Sequence, residues 1–236
     1  MFFSFLKICG VIILTVIHAI LALLAVPISS SGNAYHAVSR SYARTILAIC
    51  GVKVLVKGID HIDFSKNYIF VANHASYFDI PAVTIGLPTQ IRIVYKRELE
   101  KIPFIGWALK YGKTYISIDR GRSQDATESL DKAVDKIRNG ASVILFAEGT
   151  RTSDGKLQPF KRGPFNLAVR AGVPIVPVTI NGSFTIMPRH SMRITPGTIT
   201  LVLGHPITVP TANGRDTEIR LRDETYTIIE SNYITP

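Results

Sequence analysis

At 236 residues the chain is long enough for one sizeable domain with an appendage, and 47% hydrophobic residues with a positive mean hydropathy argue against a wholly water-solvated protein, so part of it faces lipid. A formal charge of +10 calls for an anionic partner: phospholipid headgroups, a phosphorylated substrate or nucleic acid. The two cysteines, Cys9 and Cys50, lie in apolar N-terminal surroundings and make neither a metal pair nor a disulfide framework, which is compatible with a reducing compartment.

From Ile8 to Val26 the chain is apolar apart from Thr15 and His18, with Lys7 before it and Pro27 after it. A helix of that length just crosses a bilayer core of about 30 Å. A signal peptide competes with this reading, but the apolar run exceeds the usual hydrophobic region and Cys9 and His18 interrupt it. His18 reads as a snorkelling or helix-packing residue. Ser29 to Gly32 makes a turn, and residues 33 to 50 form a second helical stretch carrying Arg40 and Arg44. No acidic residue occurs before Asp60, so these arginines beside an apolar span fit anionic headgroups at a cytoplasmic face. Two geometries are open, a single span or a helical hairpin lying in one leaflet.

After Gly51 the pattern changes to the alternation of Val52 to Lys57, a strand with one exposed face. Further strands are expected at 68–72, 91–95, 114–118, 142–147, 174–180 and 198–203. Between them the clearest helix runs from Asp125 to Arg138, with Ala126, Leu130, Ala133, Val134 and Ile137 on one face and Asn139-Gly140 ending it. Strands interleaved with helices predict an α/β fold: a central mixed, mostly parallel sheet, buried on both faces by flanking helices. The tail from Gly214 to Tyr233 reads as a surface helix.

The apolar run Tyr68–Ala72 ends in Asn-His-Ala-Ser-Tyr-Phe-Asp, residues 73 to 79. On a straight helix, residues five apart point about 140° away from each other, so His74 and Asp79 meet only if the backbone between them turns, as it does where a strand gives way to a helix. Together they suit proton removal from a hydroxyl: imidazole titrates near neutrality, and a carboxylate on its other nitrogen fixes the tautomer and stabilises the imidazolium. Alternatively Asp79, two residues before Pro81, is a helix cap and His74 an ordinary loop residue.

Three other segments carry chemistry. Residues 92–106 place Arg92, Lys96 and Arg97 just before an aromatic patch that includes Trp107, which suits a membrane interface or a substrate phosphate; Arg97, Glu98, Glu100 and Lys101 individually read as a solvated charge cluster. Arg120 and Arg122, and Lys161 and Arg162 before a helix start at Gly163-Pro164, are also read as surface charge. Residues 148–155 follow the strand Val143–Ala147: Gly149 lets backbone approach a ligand and Arg151 offers a planar fork matching phosphate, though Ser-Asp-Gly equally makes an ordinary surface turn.

In this order the segments resemble the 1-acylglycerol-3-phosphate acyltransferase family of glycerolipid synthesis, over about residues 50 to 205. His74 and Asp79 resemble its His-x4-Asp block; Lys96, Glu98, Leu99, Pro103 and Gly106 its second block; Phe146-Ala-Glu-Gly-Thr-Arg151 its third; and Val173–Pro177 its fourth. Ala147 stands where the family commonly has proline, a change expected to alter local rigidity more than chemistry. The N-terminal pair also resembles the family's leaflet-embedded helices, which divides the chain into membrane-associated helices at 1–50 and an acyltransferase domain at 51–236.

The resemblance implies that His74 deprotonates the sn-2 hydroxyl of a lysophosphatidic acid, oriented by Asp79, for attack on a thioester of CoA or acyl carrier protein. Glu148, Gly149, Thr150 and Arg151 bind or organise the glycerol phosphate, assisted by Lys96. No metal or cofactor is required, and Ser76 as an acyl carrier stands behind direct attack because a thioester is already activated. The implied location is a membrane, with the active site facing the cytoplasm, on the inner membrane if the source is bacterial. Rival readings are acylation of another lysolipid, such as a lyso-ornithine lipid or a larger-headgroup lysophospholipid, and a catalytically silent membrane-binding protein. Nucleic-acid binding is disfavoured, since the basic residues are dispersed and no aromatic stacking motif accompanies them.

Overall fold

The computed structural model describes residues 2–29, 31–112, 115–118, 123–210 and 214–236. Ser30, Thr114, Arg120 and Arg122 lie outside the described residues, as does the side chain of Ala126. Two helices lead the chain, α1 (Phe2–Ala25) and α2 (Asn33–Cys50). An alternating series follows: β1 (Val52–Lys57), β2 (Ile69–Ala72), α3 (Asp79–Gly86), β3 (Ile91–Lys96), α4 (Ile105–Gly112), β4 (Ile116–Ile118), α5 (Ser123–Arg138) and β5 (Ser142–Phe146). The remainder is α6 (Gly163–Ala171), β6 (Ile175–Asn181), the single-turn α7 (Ser183–Ile186), β7 (Gly197–Leu203) and α8 (Arg215–Asn232).

The strands form one sheet in the order β1-β7-β6-β2-β5-β3-β4, in which every neighbouring pair is parallel except β6 and β7. The mixed, mostly parallel sheet expected from the sequence is therefore present. Its central strands are buried on both faces, which is why β2 and β5 read as continuous apolar runs. Alternate residues divide between two cores. Phe70, Ala72, Ile144, Val176 and Val178 pack with Leu47, Cys50 and Val83 on one side, while Ile69, Val71, Val143, Leu145 and Ile175 pack with Ile137, Phe165, Leu221 and Ile229 on the other. Each buried Val, Leu, Ile or Phe side chain among these contributes on the order of 2 kcal/mol of transfer free energy.

α1 is long and apolar enough to cross a membrane by length and composition. One stripe of it, with Ala19 and Ala22, packs against Tyr35 of α2 and Ala108 of α4, while Ile12, Ile13, Ile17, Ile20 and Leu24 remain exposed. His18 is a packing residue: its Nδ1 lies 2.9 Å from the Leu14 carbonyl and its ring tilts against Tyr42. Lys7 donates to the Cys50 carbonyl at the carboxyl end of α2, a favourable place for a cation.

Arg40 departs from its expected role at lipid headgroups. Its guanidinium donates to the carbonyls of Thr84, Ile85 and Leu87, closing the carboxyl end of α3, where unpaired carbonyls concentrate partial negative charge. Arg44 is exposed.

Candidate active site

β2, β5 and β6 run side by side, so their carboxyl ends deliver residues 73, 147 and 181 to one edge of the sheet. Asn73 makes the exit from β2 possible. Its side chain mimics a peptide, donating to the Ile180 carbonyl at 2.9 Å and accepting from the Ile180 amide at 2.7 Å, so the chain leaves the sheet without orphaning β6. Across β2, the Ala147 amide adds a rung to the β5 ladder by donating to the Ala72 carbonyl at 2.9 Å. A proline at that position would lack the N–H and forfeit the rung.

The turn that follows brings His74 and Asp79 together. The imidazole Nδ1 donates to Asp79 Oδ2 at 2.7 Å, and the same oxygen accepts the amides of Ala75 and Ser76 at 2.8 and 2.9 Å. Asp79 is fully buried at the first position of α3, where the helix dipole favours its charge. Its carboxylate turns back on the preceding turn and the imidazole instead of capping the amides of its own helix, which sets aside the capping alternative. The His74 ring stacks on Phe146 at 4.1 Å between centroids and keeps 16% side-chain exposure, so it is held yet reachable. Ser76 is fully buried, donates to the Met187 carbonyl and accepts from the Phe78 amide; its hydroxyl braces the turn, which argues against an acyl carrier.

The turn after β5 packs directly against this pair. Glu148 Oε1 accepts the His74 amide at 2.9 Å, Oε2 accepts Gln158 at 2.7 Å, and the Thr152 amide donates back to the His74 carbonyl. Gly149 has φ +75°, a conformation that favours glycine, and the Lys161 side chain lies over it, 2.9 Å from where a Cβ would stand. Arg151 lies over Tyr77, its Cζ 3.5 Å from the ring centroid, and its buried Nη1 has no hydrogen-bond partner among the described residues. Thr150 is exposed, its hydroxyl accepting from Arg189. Lys96 is at the carboxyl end of β3, on the same sheet edge, but its ammonium pairs with Glu98 at 2.8 Å. In the same stretch Gly106 lets α4 sit on the Leu99 and Glu100 carbonyls, where a Cβ would come within 2.7 Å of both.

Gln158, Tyr77, Arg189 and Asn73 were not singled out by sequence reasoning. Lys161, read as surface charge, lies over Gly149; its neighbour Arg162 is structural, bonded with Asn166 to the buried Glu218 of α8.

Burial pushes the Glu148 carboxyl up to about 7, against the opposing pull of the His74 amide and Gln158. A carboxyl raised in the folded state adds stability that is complete below its unfolded value and lost as pH rises through about 7. Between pH 5 and pH 8 the thermal midpoint in mixed micelles is therefore expected to fall, and Glu148→Gln to remove part of that fall. An identical slope in the variant would exclude the linkage.

An apolar cleft of about 240 Å³ opens beside α3, lined by Ile80 and Pro81 immediately after Asp79 and by Ala22, Tyr42, Ile93 and Leu109 from α1, α2, β3 and α4. A larger cleft of about 840 Å³ between α4 and α5 contains none of these site residues, and in it Lys132 pairs with Glu128.

Residues 53–181 match the family profile described as Acyltransferase. A chloroplastic 1-acyl-sn-glycerol-3-phosphate acyltransferase of Brassica napus is 33% identical over 157 residues, covering 66% of this chain and 45% of that protein. The corresponding protein of Saccharomyces cerevisiae is 33% identical over 152 residues, 63% of this chain and 50% of that one. That of Pseudomonas aeruginosa is 35% identical over 157 residues, 66% of this chain and 60% of that one. These matches span roughly half the length of the relatives. The crystal structure of the 1-acyl-sn-glycerophosphate acyltransferase of Thermotoga maritima superposes with a TM-score of 0.81 and 25% identity, over 98% of this chain and 93% of that one.

Proposed function

The chain belongs to the acyltransferase family, and from that membership we propose that it transfers a fatty acyl group from an acyl thioester, of CoA or acyl carrier protein, to the sn-2 hydroxyl of 1-acylglycerol-3-phosphate, giving phosphatidic acid. The observation that carries the reading is the 2.7 Å bond from His74 Nδ1 to Asp79. With Nδ1 committed to the carboxylate, Nε2 is the nitrogen left to take the hydroxyl proton. The alkoxide-like oxygen then attacks the thioester carbonyl, and the tetrahedral intermediate collapses with loss of thiol, which recovers the proton from the imidazolium. No enzyme nucleophile enters the sequence, since sulfur is already a good leaving group.

Arg151 supplies the fork for the acceptor phosphate, held over the Tyr77 ring and backed by the Glu148–Thr150 turn. Lys96 contributes charge from the neighbouring strand end. The apolar cleft beginning at Ile80 and Pro81 fits an acyl chain leading away from the reacting carbonyl. Access from a bilayer follows from the exposed apolar face of α1 and the adjoining Ile102, Phe104, Trp107 and Tyr111 at α4, aromatic and aliphatic groups suited to the headgroup boundary on a cytoplasmic surface.

Purified full-length protein, assayed in mixed micelles with a panel of lysolipids against both thioester donors, tests the reading. Transfer to lysophosphatidic acid supports it; transfer only to a lyso-ornithine lipid or a choline lysolipid replaces the acceptor, and no transfer to any acceptor removes the enzyme. In the same assay Arg151→Lys is expected to raise KM for lysophosphatidic acid by roughly tenfold or more, because a point charge replaces a bidentate fork, while KM for the thioester stays put. An equal effect on both substrates would count against a phosphate contact.

A further inference from the structure

We propose that Arg189 is a second cationic contact for the acceptor phosphate and the residue that sets preference for a phosphate monoester over a lysolipid carrying a larger headgroup. The inference rests on the acceptor reading given above.

Arg189 lies in the connection between α7 and β7, far in sequence from the catalytic turns, yet its Nη1 donates to the Arg151 carbonyl at 3.1 Å and to Thr150 Oγ1 at 3.3 Å. Those contacts bring a second guanidinium to the turn that carries Arg151. The connection is fixed at several points. Ser76 of the catalytic turn donates to the Met187 carbonyl at 2.9 Å, the Thr195 amide donates to the Ile186 carbonyl at 2.9 Å, and the Ile194 amide donates to Ser4 of α1 at 3.3 Å. Arg189 is thus carried by a braced loop joined to both the catalytic turn and the lipid-facing helix.

The acids near the turn are already engaged: Asp154 accepts from the Thr152 hydroxyl and the Lys156 amide. Arg151, Arg189 and the Lys161 arm over Gly149 are cationic, whereas Glu148 is buried, raised in pKa and already bonded to the His74 amide and Gln158. The acceptors of Arg189 are neutral oxygens, and no carboxylate pairs with it among the described residues. Arg189 from the α7–β7 connection and Arg151 over Tyr77 thus bring two guanidiniums to the same turn, and a phosphate monoester, close to a dianion, has the charge and the spare oxygens to meet both. A phosphodiester carries a single charge, and a choline beyond it would bring a quaternary ammonium toward Arg189.

Wild type, Arg189→Gln and Arg189→Lys are compared as full-length proteins, with lysophosphatidic acid and lysophosphatidylcholine as acceptors at saturating thioester. Arg189→Gln is expected to raise KM for lysophosphatidic acid about tenfold, with kcat and thioester KM within about twofold of wild type, and to narrow the preference over lysophosphatidylcholine by a similar factor. Arg189→Lys should recover part of the loss. An unchanged KM for lysophosphatidic acid in Arg189→Gln, or a fall in kcat with both acceptors that lysine does not rescue, would reduce Arg189 to a loop brace and overturn the proposal. Wild type that acylates lysophosphatidylcholine and not lysophosphatidic acid would instead refute the acceptor reading, and the role of Arg189 with it.

Discussion

His74→Ala is expected to lower kcat by 10²-fold or more, with about 10⁴-fold as the upper range for losing a positioned base, while the protein still folds and stays with lipid. The neighbouring carboxylates do not substitute for it. Asp79 is fully buried and its Oδ2 remains bonded to the amides of Ala75 and Ser76, while Glu148 is occupied by the His74 amide, which alanine retains, and by Gln158. The structural cost is limited to one hydrogen bond and the stacking on Phe146, on the order of 1–2 kcal/mol. Initial rates with saturating donor and acceptor, set beside circular dichroism of the same sample, make the test. Turnover within tenfold of wild type would move the base elsewhere.

Much of this architecture could be read from the chain, for identifiable reasons. β2, β5 and β6 are short apolar runs buried on both faces, and α5 carries a clean helical stripe, so their periods are set by what they bury. β1 alternates because it lies at the edge of the sheet, half covered. The His74–Asp79 pair was legible because both members fall in one turn, and the Glu148–Arg151 segment because it follows a strand that ends at the same sheet edge.

Contacts joining distant parts of the chain were not legible. Asn73 meets Ile180, Glu148 meets Gln158 across a loop, and Arg189 reaches Arg151, and no local pattern marks such partners. Arg40 was misread for the same cause. Beside an apolar span a guanidinium suggests headgroups, and only the packing of α2 on α3 reveals three carbonyls waiting for it. The order of strands was also beyond local reading, because the reversal between β6 and β7 depends on which edge the chain returns to.

Asp79→Asn separates the charge of the orienting residue from its geometry. All three hydrogen bonds to the carboxylate fall on Oδ2, while Oδ1 is buried without a partner among the described residues. An asparagine can therefore place its carbonyl oxygen where Oδ2 stands, keep the amides of Ala75 and Ser76 and the imidazole N–H, and put its NH₂ where Oδ1 lies. What it loses is the negative charge that, in the proposed mechanism, stabilises the imidazolium formed as the acceptor gives up its proton. The expected result is a fall in kcat of about 10²-fold or more, with acceptor and donor KM within a few-fold of wild type and the fold intact. Asp79→Ala, which also strips the turn of its brace, should lose as much activity and unfold at a lower temperature. Wild-type kcat in the asparagine variant would mean that Asp79 only shapes the turn, and that His74 acts without a charged partner.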